Sequence, residues 1–243
     1  MNEARYFVPG ETQSLWQAAD GASVALTICE DAWNDKQFWR HQLYPRDPVD
    51  ELVARGGNML VSINASPFWL GKRQLRLEMF RALARRHKVP VIAVNQVGGN
   101  DQVVFDGSSF AMDAEGNVIA SAASFQEDLI IADTAANTGD KRAGYVETEC
   151  DECDAVYDAL VLGTRDYIRK CGFSRVLIGL SGGIDSSLTA VVAVDAVGRE
   201  NVRGVAMPGP FSSRRASCRV RRGGARNTLN IPRGSPIDNR RAG

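Results

Sequence analysis

Short apolar and β-branched runs alternate with helix-periodic segments over residues 22 to about 134. Such alternation is typical of layered α/β architecture, in which strands form a sheet and helices cover it. One amphipathic helix is predicted over QLRLEMFRALARRHK, where Leu75, Met79, Phe80 and Leu83 recur at helical spacing and arginines take the other face. The predicted strands are SVALTIC, NMLVSIN, VPVIAVN, SSFAMDA and DLIIAD.

A polar, acidic segment separates this pattern from a second one. Residues 135–154 supply turn residues and little to bury, which predicts a linker. The next segments predict a helix ending at Gly172, a buried strand in SRVLIGLSGG, a helix in DSSLTAVVAVDAVG and a strand in NVRGVAMP. The sequence therefore predicts two α/β domains, at residues 1–134 and 155–213.

Residues 214–243 have a different character, because they are rich in arginine and contain a single acid, Asp238. No apolar periodicity runs through them, so we predict an irregular tail. Such a block is normally a disordered or nucleic-acid-binding segment. A reading-frame change or a truncated gene would produce the same pattern.

Composition narrows the class of protein. Lys and Arg balance Asp and Glu at 29 each, so net charge gives no argument for a nucleic-acid or membrane partner. The sequence has no apolar run long enough to span a bilayer, and its start does not resemble a signal peptide. The 5 cysteines are an odd number at irregular spacings, which favours a reducing compartment. We therefore expect a cytoplasmic protein.

Cys29 is the first candidate for chemistry, because it ends an apolar strand in TICEDAW and precedes two carboxylates. A cysteine at the end of a strand is a common place for a nucleophile, since the turn exposes the sulfur near free N–H groups. A buried structural cysteine is the alternative, since cysteine is among the most buried residue types. The residues alone leave both open.

The surrounding sequence resembles the nitrilase (carbon-nitrogen hydrolase) family, in TICEDAW, NASPFWLGKR and VIAVNQVGGNDQVVFDGSSFAMDAEGNVIA. These segments are typical of the glutamine-hydrolysing domain of NAD synthetases. The resemblance implies that Cys29 is the nucleophile, that the Ser66 hydroxyl contacts glutamine, and that Lys72 lies near the substrate's α-carboxylate. A solvated surface lysine is the alternative for Lys72.

The second candidate is SGGIDSS, at residues 181–187, which follows an apolar strand. Paired glycines let a backbone approach an oxyanion, and the following helix N-terminus favours a pyrophosphate. Asp185 would add a carboxylate that suits Mg2+ beside phosphates. The alternative is a glycine turn that binds nothing. The segment assigned to ATP comprises Gly179, Leu180, Ser181, Gly182, Gly183, Ile184, Asp185, Ser186 and Ser187.

The SGGxDS pattern resembles the PP-loop ATP pyrophosphatases, and the two motifs together resemble the glutamine-dependent NAD+ synthetases from about residue 2 to about residue 213. The resemblance implies the C-terminal part of a nitrilase-like αββα layered domain, followed by the start of a parallel-sheet PP-loop (adenine nucleotide alpha hydrolase-like) domain. It also implies that ammonia from glutamine travels through a tunnel and amidates deamido-NAD+, with ATP and Mg2+ as cofactors. NAD+, AMP, pyrophosphate and glutamate are the implied products, and a homo-oligomer is the implied assembly.

In that family a glutamate base and a second lysine precede the nucleophile, and nothing upstream of Cys29 matches them. We therefore expect a fragment that has no glutaminase activity by itself. A non-catalytic nucleotide-binding remnant or an assembly partner of intact subunits is the alternative. A tRNA-modifying PP-loop protein would use the basic tail, but the tail lacks interleaved aromatics and such enzymes lack a nitrilase half.

Overall fold

A computed structural model describes residues 7–8, 10, 12–41, 44–134, 151–206 and 228–229. It divides into two compact units. The first unit contains the chain up to Val97 and the segment Phe105–Cys150, and the second contains Gly98–Val104 together with the chain from Asp151 onward. The predicted linker lies mostly outside the described residues, as does nearly all of the predicted tail.

The first unit is built on a mixed sheet of 6 strands in the order β1-β2-β3-β4-β7-β8. Strands β2, β3 and β4 are parallel to one another, while β1, β7 and β8 join antiparallel at the two sides. The strands are β1 Trp16–Gln17, β2 Ser23–Ile28, β3 Met59–Asn64, β4 Val91–Asn95, β7 Phe110–Met112 and β8 Val118–Ser121. A separate hairpin, β5 Val97–Asn100 and β6 Val103–Asp106, follows β4, and its segment Gly98–Val104 belongs to the second unit.

Three helices belong to this unit: α1 Glu30–Trp33, α2 Pro48–Ala54 and α3 Lys72–His87. Helix α2 begins where the Asp47 side chain accepts a hydrogen bond from the Asp50 N–H, with proline at the first helical position. Helix α3 matches the predicted amphipathic helix, and it buries Met79, Phe80 and Leu83 in a core shared with the sheet. That core gives the parallel strands a fixed support.

The helix differs from its prediction at one position, Arg76, which is buried rather than on the solvent face. The spacing explains this placement, because Arg76 lies one turn before Met79 and Phe80 on the same face of α3. A buried guanidinium needs an acidic partner, and Asp106 supplies one.

The DLIIAD segment does not form the predicted strand. Leu129 and Ile131 are 90% and 94% exposed. The Asp128 carboxylate instead accepts hydrogen bonds from the Ala123 N–H and the Leu129 N–H, at 2.8 Å each. Such local side-chain bonds to the backbone compete with a sheet ladder, so apolar composition alone misled the prediction.

The second unit contains β9 Val176–Leu180, β10 Val202–Ala206 and β11 Thr228–Leu229, with the helices α4 Glu152–Lys170 and α5 Ile184–Val197. Strands β9 and β10 are parallel, whereas β11, which falls in the tail predicted as irregular, pairs antiparallel with β10. A 3-10 helix, Arg199–Asn201, connects α5 to β10. The order strand, loop, helix, strand agrees with the pattern predicted from the sequence.

Two details of this unit differ from the predictions. Helix α4 begins at Glu152, inside the predicted linker, because the Asp151 side chain caps the Cys153 N–H. Strand β9 is not buried: Leu177 is 73% exposed. Exposure alternates along β9, as expected of a strand with a helix on only one face, and α5 packs against it.

Candidate functional site

The carboxyl ends of three parallel strands form one candidate site in the first unit. The register pairs Ile28 with Ile63 and Asn64 with Asn95, so the residues that follow β2, β3 and β4 emerge side by side. Cys29 follows β2 and donates its N–H to the Ile63 carbonyl at 2.9 Å. Ligand sites of parallel α/β sheets lie at this edge.

Cys29 occupies the turn between β2 and α1, with φ 42° and ψ −104°. A positive φ is uncommon for a residue with a side chain and costs on the order of 1–3 kcal/mol. A sharp strand-to-helix turn is also how other hydrolases present a nucleophile. The Cys29 side chain is half-buried, so the turn gives the sulfur access to this edge of the sheet.

The two carboxylates after Cys29 have structural partners. The Asp31 carboxylate accepts a hydrogen bond from the Ile28 N–H at 2.9 Å. The Tyr44 hydroxyl donates to the Glu30 carboxylate. Both bonds hold the turn that carries Cys29.

Lys72 is the first residue of α3 and lies close to Cys29. Its Nζ is 4.1 Å from the ring centre of Trp33 and 5.3 Å from that of Trp69, which is cation–π geometry. Burial and the neighbouring Arg76 lower the pKa of Lys72, while negative charge on Cys29 opposes that shift. The structure therefore places Lys72 and Cys29, two of the three residues predicted for the glutamine site, within electrostatic range of each other.

Ser66, the third predicted residue, is buried in the segment after β3. Asn95 holds its backbone on both sides: the Ser66 N–H donates to Asn95 Oδ1 at 2.9 Å, and Asn95 Nδ2 donates to the Ser66 carbonyl at 3.4 Å. The same Nδ2 lies 3.2 Å from Asp106 Oδ1. Sequence reasoning missed Asn95, Asp106 and Arg76, although an arginine on the apolar face of a helix is a readable signal.

The second candidate site consists of the end of β9, the loop of residues 181–183 and the first turn of α5, and these three parts contain the residues predicted to bind ATP. Gly182 has φ 83°, a conformation that favours glycine, and Gly183 precedes the first turn of α5. Among the described residues no side chain caps this end of α5, so its first N–H groups are available to an anion.

The serines of this loop bond to the loop itself. Ser186 and Ser187 donate their hydroxyls to the Gly183 carbonyl at 3.1 and 2.9 Å. Ser181 Oγ accepts from the Gly183 N–H at 3.3 Å and lies 3.2 Å from Ser186 Oγ. These bonds fix the shape of an exposed loop whose only acid is Asp185, in the first turn of α5.

Two features are absent from the described residues. No three His, Cys, Asp or Glu side chains cluster there as a group that could hold a metal ion. None of the helices in that part of the chain is long and apolar enough to cross a membrane.

Comparisons with known proteins match both halves of the chain. The carbon-nitrogen hydrolase family model matches residues 2–142, and the NAD synthase family model matches residues 156–221. The chain is 44% identical to the glutamine-dependent NAD(+) synthetase of Synechocystis sp. over 87% of its own length and 38% of that relative. It is 35% identical to the enzyme of the same name from Thermotoga maritima, over 88% of this chain and 41% of that one.

A solved structure gives the same result for the fold. The glutamine-dependent NAD+ synthetase of Acinetobacter baumannii, in complex with ADP, superimposes with a TM-score of 0.73 at 32% identity, covering 88% of this chain and 39% of that one. The chain thus spans about two fifths of the length of these relatives. The predicted α/β fold class, a nitrilase-like domain followed by the start of an NAD synthase domain, is confirmed. The chain belongs to the carbon-nitrogen hydrolase family, and NAD synthase sequence follows its hydrolase segment.

Proposed function

We propose that this chain takes part in glutamine-dependent synthesis of NAD+, in which ammonia from glutamine amidates deamido-NAD+ at the expense of ATP. The observation that carries the proposal is the combination on one chain of a strained strand-end cysteine and an SGGIDSS phosphate loop. Relatives named as glutamine-dependent NAD+ synthetases support it. The products are NAD+, AMP, pyrophosphate and glutamate.

At the first site, Cys29 is the nucleophile. The Cys29 thiolate attacks the side-chain amide carbon of glutamine, and the amide nitrogen takes up the proton released by the thiol and leaves as ammonia. Water then hydrolyses the thioester, which gives glutamate and the free thiol. The ammonium of Lys72 pairs with the substrate's α-carboxylate. The Ser66 hydroxyl contacts the substrate. The two indole rings near Lys72 shield part of this charge from water, which strengthens the pairing.

At the second site, the loop and the first N–H groups of α5 receive the phosphates of ATP. Asp185 is exposed in that first turn, and a single carboxylate together with phosphate oxygens is a donor set that suits Mg2+. The metal would neutralise charge on the departing pyrophosphate when a carboxylate of deamido-NAD+ is adenylated. Ammonia then displaces AMP from that adenylate.

The test compares two nitrogen donors in the natural protein that carries this sequence. NAD+ formation is measured with glutamine or with ammonium chloride, in the wild type and in Cys29→Ala and Asp185→Asn variants. We expect Cys29→Ala to abolish glutamine-dependent synthesis and to keep ammonia-dependent synthesis, because only the first step needs the thiol. Asp185→Asn is expected to impair both.

The outcomes separate the proposal from its alternative. Glutamine-dependent synthesis that survives in Cys29→Ala would contradict the role of the first site. Binding of ATP without NAD+ formation from either donor would instead support a nucleotide-binding remnant or an assembly partner. We further propose small-molecule substrates, a cytoplasmic location and a homo-oligomer, with no nucleic-acid or membrane partner.

A further inference from the structure

A buried ion pair lies behind the predicted glutamine site. The Arg76 guanidinium donates two hydrogen bonds to the Asp106 carboxylate, at 2.8 and 2.5 Å. Their side chains are only 2% and 3% exposed. Arg76 Nε has no hydrogen-bond partner among the described residues, so Asp106 is the counter-charge that the structure supplies to this guanidinium.

Arg76 connects this pair to Lys72 through helix α3. The two residues are four positions apart, so their side chains project from the same face of the first two turns. The backbone there is also fixed locally, since the Lys72 N–H donates to the Trp69 carbonyl at 2.9 Å. Anchoring Arg76 therefore anchors the start of α3, where Lys72 projects.

Asp106 connects the pair to Ser66 through Asn95. Asn95 Nδ2 lies 3.2 Å from Asp106 Oδ1 and 3.4 Å from the Ser66 carbonyl, while Asn95 Oδ1 accepts from the Ser66 N–H at 2.9 Å. The Asn95 N–H in turn donates to Ser109 Oγ at 2.9 Å, which fixes the asparagine at the end of β4. A displaced Asp106 would free the amide that holds Ser66.

We propose that Arg76 and Asp106 are positioning residues. Their ion pair holds Lys72 and Ser66 in the positions in which these two residues bind glutamine. The proposal rests on the proposed function for the identity of the ligand. Neither residue needs to touch the substrate. A buried ion pair is weak evidence of added stability, since well-packed apolar residues often do as well, so fixing geometry accounts better for this arrangement.

The electrostatics of the pair point in the same direction. Arg76 and Asp106 act on Lys72 with opposite signs, and the structure presents both charges to it. Asp106→Asn keeps an oxygen for Asn95 but removes the negative charge, so the uncompensated guanidinium repels Lys72 more strongly. The variant therefore perturbs position and charge with little change in volume.

The chain offers a matched control in a second ion pair on α3. Arg86 Nη1 lies 2.5 Å from Asp35 Oδ1, and Asp35 is as buried as Asp106. No hydrogen bond to Asn95 or Ser66 is made by this second pair. Asp35→Asn therefore tests the loss of a buried acid that accepts the Gln37 and Phe38 N–H groups but does not bond to Asn95 or Ser66.

The first experiment measures kinetics in the natural protein. We expect Asp106→Asn and Arg76→Met to raise the KM for glutamine by more than about tenfold, with kcat changed less than about threefold, because ground-state binding is what they weaken. Arg76→Lys should recover part of the affinity. Ammonia-dependent synthesis should not change. A KM that stays within about twofold, or that rises equally in Asp35→Asn, would overturn the proposal.

The second experiment needs no turnover. Amide hydrogen exchange is followed at Ser66 and Lys72, whose N–H groups report the two anchors. We expect at least about tenfold faster exchange at both in Asp106→Asn, with the strand amides of β3 and β4 unchanged. Uniform acceleration, or none, would overturn the proposal. Failure of the wild type to hydrolyse glutamine would count against the proposed function, while this readout would still decide the positioning role.

Discussion

Two adjacent glycines in the SGGIDSS loop should differ in how much folding stability is lost when each is replaced by alanine. Gly182 has φ 83°, where an L side chain is strained, whereas Gly183 has φ −85° and ψ 169°, which any residue adopts. A Cβ added at Gly183 would lie 3.4 Å from Ser181 Oγ, an ordinary van der Waals contact. Gly183→Ala should therefore fold well, and Gly182→Ala should not fit its backbone.

The magnitudes follow from backbone energetics. Left-handed geometry costs an alanine about 1–2 kcal/mol, and the loss of unfolded-chain entropy returns about 0.4–1 kcal/mol. Gly182→Ala should thus lose about 1 kcal/mol of stability. Gly183→Ala should change it by less than about 1 kcal/mol, because the entropy gain is offset by the poor fit of alanine at the N-cap of α5. Gly183→Ala should nevertheless weaken the binding of ATP, because the added methyl group occupies space beside the first turn of α5. A loss of about 1.4 kcal/mol weakens binding tenfold.

The assay pairs amide hydrogen exchange of α5 with calorimetric titration of ATP and of pyrophosphate, both with Mg2+. Gly172→Ala is the matched control, since Gly172 has φ 78°, lies beyond the end of α4 and has open space around its Cβ position. It should lose stability like Gly182→Ala and keep nucleotide affinity. If a folded Gly183→Ala variant bound ATP with wild-type affinity, the hypothesis that this loop binds the phosphates would be refuted.

Three further predictions concern stability. Burial, the largest cause, lowers the pKa of His87 below 6.5 despite Asp50 at 3.1 Å, so the folded state favours neutral histidine. The contribution of neutral His87 to stability is complete above the unfolded-state pKa and is lost as the pH falls below it. At pH values below 6.5, the urea concentration at the unfolding midpoint, followed by tryptophan fluorescence, should therefore decrease. The decrease should be smaller in His87→Gln. Phe80→Ala should lose about 3–5 kcal/mol of stability in the same urea titration, because the fully buried ring packs edge-to-face against Phe110. A loss under about 1 kcal/mol would contradict the placement of Phe80 in the core. Gly99→Ala should lose about 1–3 kcal/mol, measured by exchange of α4 amides, because its Cβ would lie 3.0 Å from a backbone carbon of that helix; unchanged exchange would disprove the contact.

The sequence could predict elements whose pattern is local. The parallel strands and α3 were predictable because period and composition agree with what each element buries. DLIIAD was not, because a carboxylate at its start takes backbone amides that a ladder would need. Periodicity shows which faces of an element are apolar, but it does not show which side chains form hydrogen bonds to the backbone.

The candidate site was predictable in part, for a related reason. Cys29 and Lys72 were assigned through the resemblance to a family, and the structure places them within electrostatic range of each other although they are far apart in sequence. The support behind them depends on Asp106, the last residue of β6, and no local pattern pairs that residue with Arg76. Contacts between segments distant in sequence need the fold before they can be named.

The backbone at Cys29 also has an evolutionary consequence. With φ 42°, this position would be relaxed by glycine, so chemistry and folding make opposite demands on the same residue. We expect Cys29→Gly to unfold at a higher urea concentration than Cys29→Ser, and the reverse order would count against strain at this turn. A lineage released from selection for the thiol would gain stability by drifting to glycine here, which makes this codon a sensitive record of whether the site is still in use.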